Sequence, residues 1–110
     1  MKKQIADKEF HLIGIGTWGM GGTRLSDDAI FADYDHDQRE IEAIRYSISH
    51  GQNHIDTAQL YGAGHTEEIV REAIRGIPRE NLFIASKVWK SHAYRTAVPE
   101  AVEHIPSRLQ

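Results

Sequence analysis

The sequence has no cysteine, only three prolines, and no block of five or more like charges. The absence of cysteine excludes disulfides, thiolate metal sites and cysteine nucleophiles, and it is consistent with a reducing compartment. No apolar run approaches the roughly 18 residues that a membrane span needs, and the opening MKKQIADKEF lacks the apolar stretch of a signal peptide. We therefore expect a cytoplasmic protein without a membrane segment.

The overall composition is that of a globular protein. Of the 110 residues, 40% are hydrophobic and 26% are charged, and the formal net charge is -3. This length suits one domain spanning residues 1–110 with a modest core. Because no basic patch is evident, a nucleic-acid partner is not expected.

Strand-like and helix-like segments alternate along the chain. Apolar, β-branched runs at 10–18, 53–58 and 82–89 predict three strands, with a possible small hairpin before the first. The third run is almost continuously apolar, as expected for a parallel strand covered on both faces. The order β, α, β, α, β, α predicts an α/β fold with a parallel sheet.

Two helices are predicted between these strands. The first has Asp37 as N-cap, Glu40 as its capping-box partner and Gly51 as its end signal. The second has Thr66 as N-cap and is stopped by Gly76 and Pro78. A third helix, beginning near residue 96, is interrupted by Pro106. The predicted apolar faces are Ile41, Ile44 and Ile48 on the first helix, and Ile69, Val70, Ala73 and Ile74 on the second.

The segment GIGTWG, residues 14–19, matches the G-x-G-x-x-G pattern of dinucleotide-binding folds. That function requires a helix to begin at the motif so that its N-terminus can hold a pyrophosphate. The following residues, MGGTRLSDD, are poor helix formers. We therefore favour a structural interpretation, in which the glycines let the backbone turn away from a strand. A position lining a substrate pocket is compatible with this interpretation. The acidic stretch at 26–37 is interpreted as a loop, with one turn of helix near residues 27–31.

Three polar side chains follow the ends of the second and third predicted strands. Asp56 is the last residue of the segment NHID, Tyr61 lies in the loop that follows, and Lys87 is the last residue of the segment LFIASK. Because the C-terminal ends of parallel strands share one rim, these residues could meet there, where α/β proteins bind ligands. Asp56 would keep Lys87 protonated, and the ammonium would stabilise a phenolate, which makes Tyr61 a plausible general acid for a carbonyl.

Each member of this set also has a purely structural interpretation. Asp56 could cap a loop, Tyr61 could be a half-buried aromatic, and Lys87 could simply reach solvent. A metal site built from the seven histidines is disfavoured, because His50 and His54 lie on opposite sides of the helix-ending Gly51 and no cysteine is available.

The motifs GIGTWGMGG, HIDTAQLYGAG and LFIASKVW together resemble the successive N-terminal signatures of the aldo-keto reductase family. The resemblance covers nearly the whole chain. It implies part of a (β/α)8 TIM barrel, about three βα units, that uses NADPH or NADH to reduce aldehydes or ketones to alcohols. By this resemblance Tyr61 gives the proton, and Asp56 and Lys87 support it.

The resemblance also assigns residues to cofactor and substrate. Gly16, Thr17 and Trp18 match a loop that touches the nicotinamide, while Trp18 and Trp89 match positions that line the substrate pocket. The family's fourth catalytic residue is a histidine at the end of the fourth strand, and none of the histidines here matches it by position.

A whole barrel takes about 250 residues, so we expect the NADP site to be incomplete and the isolated 110-residue chain to be inactive. The alternative is a truncated, noncatalytic remnant or an assembly module. In either case the open sheet edges would favour a homo-oligomer or a complementing chain.

Overall fold

The computed structural model describes residues 2–5, 7–22 and 30–89, and these contain five strands and two α-helices. The strands are β1 (Lys2–Ile5), β2 (Lys8–His11), β3 (Ile15–Gly16), β4 (His54–Asp56) and β5 (Phe83–Ala85), and the helices are α1 (Asp37–Ser49) and α2 (His65–Ile74). The predicted third helix and residues 27–29 of the predicted turn lie outside the described residues. None of the helices in the described ranges is long and apolar enough to cross a membrane.

Two small sheets organise these elements. Strands β1 and β2 form the antiparallel hairpin that was predicted, with Lys2 opposite His11. Strands β3, β4 and β5 form a parallel sheet in which β4 is central. The alternation of parallel strands and helices predicted from the sequence is therefore confirmed for the described part of the chain.

The core lies between the parallel sheet and the two helices. Ile44 from α1 and Ile55 from β4 are fully buried there. The predicted apolar faces of both helices contribute to this core. Its buried members are Ile15, Ile44, Ile55, Ile69, Val70, Ala73, Ile74 and Leu82.

The first and third predicted strands are shorter in the structure than expected. The run at 10–18 is divided, because hairpin pairing takes Phe10 and His11 while only Ile15–Gly16 joins the parallel sheet. The run at 82–89 forms a strand only at Phe83–Ala85. The prediction that both faces of this strand are covered is wrong at Phe83, which is 50% exposed and packs edge-on against the Phe10 ring.

Both predicted N-caps are wrong. Helix α1 has His36 at the N-cap position with no side-chain cap hydrogen bond, and α2 has Gly64 there in a left-handed conformation. The acidic and hydroxyl groups near these ends are used by tertiary contacts instead. Glu40 Oε2 accepts a hydrogen bond from the Gly21 N–H at 2.8 Å, and Thr66 Oγ1 donates to the Met20 carbonyl. Gly51 ends α1 with φ of 92°, as predicted.

Candidate active site

The C-terminal ends of the three parallel strands place the predicted residues on one rim. Gly16 is opposite Asp56 in the register of β3 and β4, and Asp56 is opposite Ala85 in that of β4 and β5. Tyr61 follows Asp56 by five residues in a 3₁₀ turn, Tyr61–Gly64, that leads directly into α2. This is the end of a parallel sheet at which α/β proteins bind ligands.

Lys87 lies two residues beyond the end of β5 and binds both the side chain and the backbone at the end of β4. Its Nζ donates to Asp56 Oδ1 at 2.7 Å and to the Thr57 carbonyl at 2.9 Å. The side chains of Lys87 and Asp56 are about half exposed, 51% and 50%. Such an exposed pair adds little to stability. Its consequence is geometric, because it fixes the ammonium at the rim.

The pKa of Lys87 is raised above its ordinary value. Partial burial acts to lower this pKa, but the hydrogen bond and negative charge of Asp56, followed by the influence of Tyr61, outweigh it. Lys87 is therefore protonated at neutral pH, as the sequence predicted. The predicted ammonium is present beside the phenol.

Tyr61 is held between a cation and an aromatic ring. Lys87 Nζ lies 5.2 Å from the centroid of the Tyr61 ring, within the range of a cation–π contact. The Trp18 ring meets the Tyr61 ring edge-on, with centroids 4.9 Å apart. The structure therefore brings Asp56, Lys87, Tyr61 and Trp18 together, although they come from three separate segments of the sequence.

The Gly16–Trp18 loop supports Asp56 from the neighbouring strand. Thr17 is fully buried, and both its N–H and its hydroxyl donate to the Asp56 carbonyl, at 3.1 Å and 2.8 Å. An added Cβ at Gly16 would have no atom within 4 Å, so this position opens onto free space. Trp18 is 54% exposed beside it. Gly16 and Trp18 thus offer an open, flat surface, whereas the Thr17 hydroxyl is already used inside the fold.

Trp89 joins the rim through Gln59. The Trp89 N–H donates to Gln59 Oε1 at 3.4 Å, and the Gln59 N–H donates to the Lys87 carbonyl at 3.1 Å. The Trp89 side chain is 39% exposed. The segment that carries Lys87 and Trp89 is therefore tied to the loop between Asp56 and Tyr61.

The glycine motif behaves as the structural interpretation predicted. Residues 18–21 form turns, and no helix begins in the described residues that follow the motif up to Gly22. Gly14 is needed for packing, because an added Cβ would collide with the imidazole of His54. The motif lets β3 pass close to β4 and then turn away, and it has no helix N-terminus to hold a pyrophosphate.

A cleft of about 290 Å³ lies at the N-terminal end of the parallel strands, away from this rim. The cleft is lined by Lys8, Glu9, Phe10, Asn53, Glu80, Asn81 and Leu82. Elsewhere, as in the cleft, the described residues contain no group of His, Asp and Glu side chains arranged to hold a metal ion.

A charged clamp between the two helices was not anticipated from the sequence. His65 is buried, and its ring nitrogens bind Asp37 Oδ1 of α1 at 2.8 Å and Glu68 Oε2 of α2 at 2.7 Å. The Tyr34 ring packs on the imidazole with centroids 4.0 Å apart. The sequence carries part of the signal, since the spacing places Asp37 at the start of a helix, but its partner His65 lies 28 residues away.

We expect this clamp to make stability depend on pH. Burial acts to lower the pKa of His65, but hydrogen bonds and charge from Glu68 and Asp37 raise it overall. Its stabilising contribution is therefore fully present below the unfolded-state value of about 6.5 and is lost as pH rises through the folded-state pKa. His65→Gln should lower the free energy of unfolding by about 1.5 kcal/mol at about pH 6, because hydrogen bonds to charged groups contribute about this much. The loss should be smaller at about pH 8.5.

Urea denaturation of both proteins across this pH range measures the effect. His36→Gln is the matched control, since His36 is exposed and makes no cap hydrogen bond. An equal cost of His65→Gln at both pH values would contradict a charged clamp.

The family model for the Aldo/keto reductase family matches residues 12–110. The chain belongs to this family. Among curated proteins, it is 38% identical over 107 residues to aldo-keto reductase YhdN of Bacillus subtilis, covering 89% of this chain and 30% of that protein. It is 36% identical over 87 residues to methylglyoxal reductase YeaE of Escherichia coli, covering 79% of this chain and 27% of that protein.

Solved aldo-keto reductases have the same fold over the matched region. The thermostable reductase Tm1743, in complex with the inhibitor epalrestat, is 39% identical with a TM-score of 0.86, and the match covers 99% of this chain and 38% of that one. An aldo/keto reductase from Klebsiella pneumoniae in complex with NADP and acetate is 38% identical with a TM-score of 0.78, covering 93% of this chain and 32% of that one. These relatives are (β/α)8 barrels, and the described residues form a partial α/β unit of such a barrel.

Proposed function

We propose that these 110 residues supply the first strands, the proton-donating tyrosine and its two supporting side chains to a nicotinamide-dependent carbonyl reductase. The observation that carries the proposal is the convergence of Asp56, Tyr61 and Lys87 at the rim, with Lys87 Nζ 2.7 Å from Asp56 Oδ1 and 5.2 Å from the Tyr61 ring centroid. The chain spans about 30% of the length of the curated relatives it matches. The activity of the whole barrel is therefore part of this proposal.

Tyr61 is the proposed proton donor to the carbonyl oxygen of the substrate. As that oxygen gains negative charge, the phenol O–H transfers its proton and becomes a phenolate. The Lys87 ammonium beside the ring stabilises the phenolate, and Asp56 holds the ammonium in position and in its charged form. The three side chains therefore act as one unit, with Tyr61 in contact with the substrate.

The open surface at Gly16 and Trp18 suits a flat aromatic ring. Glycine leaves space above β3, and the exposed indole of Trp18 can line a planar ligand. A reduced nicotinamide, when bound, would supply the hydride that reaches the carbonyl carbon. We assign Gly16, Thr17 and Trp18 to that ring, with Thr17 acting through its hold on the Asp56 carbonyl, and Trp18 and Trp89 to the substrate. NADP is favoured over NAD because solved relatives carry NADP or NADPH.

The proposal can be tested in a chimeric protein in which the barrel is completed. Residues 1–110 are joined to the portion of Tm1743 that follows its matched segment, which the TM-score of 0.86 supports as a compatible frame. We expect NADPH-dependent reduction of methylglyoxal or another small aldehyde, followed as loss of nicotinamide absorbance. A folded barrel that binds NADPH but leaves every aldehyde and ketone unreduced would overturn the proposal.

The 110-residue chain by itself is expected to bind no NADPH at micromolar concentration and to reduce no simple aldehyde. The matched relatives are about three times longer, so most of the barrel that would enclose a cofactor is not within these residues. Fluorescence titration with NADPH and an aldehyde turnover assay test this. Turnover by the isolated chain that Tyr61→Phe abolishes would contradict it.

A noncatalytic assembly module is the second candidate. Leu12, Ile13 and Phe83 are each at least 50% exposed, and among the described strands β3 and β5 each have one neighbour. Exposed apolar groups beside open strand edges favour pairing with a second copy or a complementing chain. If this were the only role, the completed barrel would fold without reducing carbonyls.

A further inference from the structure

A fully buried carboxylate lies between the parallel sheet and α2. Glu67 is the third residue of α2 and is 0% exposed, whereas the carboxylate that pairs with Lys87 is half exposed. Burying a carboxylate is costly unless hydrogen bonds compensate. Ser86 Oγ donates one to Glu67 Oε1 at 2.8 Å.

Ser86 immediately precedes Lys87 on a segment that is held like a strand. The Ala85 carbonyl accepts the Thr57 N–H at 2.8 Å, and the Lys87 carbonyl accepts the Gln59 N–H at 3.1 Å. Successive side chains of an extended segment point to opposite faces. Ser86 accordingly reaches α2, while Lys87 reaches Asp56 and the Tyr61 ring.

Glu67 is also close in sequence to the Tyr61 turn. Helix α2 begins directly after that turn, through Gly62, Ala63 and Gly64, all with positive φ. Ala63 has φ of 52°, an uncommon conformation for a residue with a side chain. The Glu67–Ser86 bond therefore joins the element that follows Tyr61 to the segment that carries Lys87, by a route that does not pass through Asp56.

We infer that Glu67 is a positioning residue for carbonyl reduction, acting through Ser86 to set the separation between Lys87 Nζ and Tyr61. The inference rests on the proposed function of Tyr61 and Lys87. Glu67 is fully buried beneath the rim, so its effect on a substrate is indirect. A small displacement of Lys87 weakens its stabilisation of the phenolate, because catalytic rates are sensitive to misplacement of about 1 Å.

The completed barrel provides the kinetic test. Ser86→Ala should lower kcat about tenfold with KM changed less than about twofold, because the ammonium is displaced while substrate contacts remain. Ser86→Thr, which keeps the hydroxyl, should restore most of kcat, and Glu67→Gln, which keeps an oxygen acceptor, should retain most of it. Glu67→Ala should lower kcat at least as much as Ser86→Ala, and adding Ser86→Ala to it should lower kcat no further, since the Glu67–Ser86 hydrogen bond is then already absent.

Matched controls are available on the surface of both helices. Ser49→Ala removes an exposed hydroxyl whose hydrogen bonds, to the Tyr46 carbonyl and to His50 Nδ1, are local, and Glu72→Gln removes a carboxylate that pairs with Arg75. Both should leave kcat and KM unchanged. A Ser86→Ala effect no larger than that of Ser49→Ala would overturn the inference.

Tyr61→Phe in the same barrel separates this inference from the proposed function. If Tyr61→Phe keeps its turnover, the proposed function fails. If Tyr61→Phe loses turnover while Ser86→Ala and Glu67→Ala keep normal kcat, only the positioning inference fails.

A second readout needs no turnover and uses the 110-residue chain. Proton exchange of the Lys87 ammonium, followed by ¹⁵N NMR, should be about tenfold faster in Ser86→Ala than in the parent, because hydrogen bonds to Asp56 and Thr57 are loosened. The Lys2 ammonium on the exposed hairpin is the internal control. An unchanged Lys87 exchange rate would overturn the inference whatever the activity of the barrel.

Discussion

Replacing Tyr61 with phenylalanine is expected to lower kcat for carbonyl reduction by at least about a hundredfold in the completed barrel, because general acid catalysis typically contributes this much or more. The ring would remain packed against Trp18, where the centroids are 4.9 Å apart, and only the proton donor would be lost. Binding of NADPH should be unchanged. Steady-state kinetics and a fluorescence titration measure the two quantities.

Tyr46→Phe is the matched control for this prediction. Tyr46 lies on α1 with 67% of its surface exposed and stacks on His50, away from the rim. The same hydroxyl deletion there should leave kcat unchanged. Comparable losses in the two variants would point to a general effect of removing a phenol hydroxyl, and Tyr61 would not be the donor.

Replacing Ile55 with alanine should have the largest effect on stability, with the free energy of unfolding reduced by about 3 kcal/mol. Ile55 is fully buried at the centre of β4, opposite Ile15 on one side and Ile84 on the other. The deletion leaves a cavity that the rigid sheet cannot close. It also loosens the strand that ends in Asp56. Urea denaturation of the 110-residue chain measures the change.

Ile13→Ala gives the comparison for Ile55→Ala, because it removes the same atoms from a side chain that is 54% exposed. A surface substitution of this kind is expected to cost less than about 0.5 kcal/mol. Similar costs at the two positions would mean that β4 is not the centre of the core.

Much of the candidate site could be predicted because it depends on local sequence and on one general rule. Asp56, Tyr61 and Lys87 were placed together from the rule that parallel strands end on the same side of a sheet. The register of β3, β4 and β5 confirms that geometry, and the Lys87–Asp56 hydrogen bond was expected on electrostatic grounds. Their roles in catalysis stay predictions until the kinetic tests are made.

Capping was predicted wrongly because a local pattern competes with distant partners. Asp37 and Glu40 fit a capping box by spacing, yet Asp37 binds His65 and Glu40 binds the Gly21 N–H. A helix cap and a tertiary contact both provide hydrogen-bond donors to a carboxylate, and which of the two forms depends on the donors that the fold brings near it. Sequence spacing does not contain that information.

Glu67 lies in the acidic first turn of α2, where a carboxylate suits the positive end of the helix dipole, and this local pattern alone gives no sign that the side chain is buried. A better signal was present, since Glu67, Val70 and Ile74 follow the spacing of one buried helical face. A carboxylate on such a face calls for a hydrogen-bond donor opposite, which the structure provides in Ser86.

The sequence by itself determined the order of strands and helices, the apolar faces of α1 and α2, and the family to which the chain belongs, because these follow from periodicity and from contiguous motifs. Only the tertiary structure decided how far each strand extends, that Thr17 holds the Asp56 carbonyl, that His65 and Glu67 are buried, and which groups these two side chains bind. The physical reason is that two groups far apart in sequence form a hydrogen bond only where the packing of the strands and helices brings them together and aligns donor with acceptor.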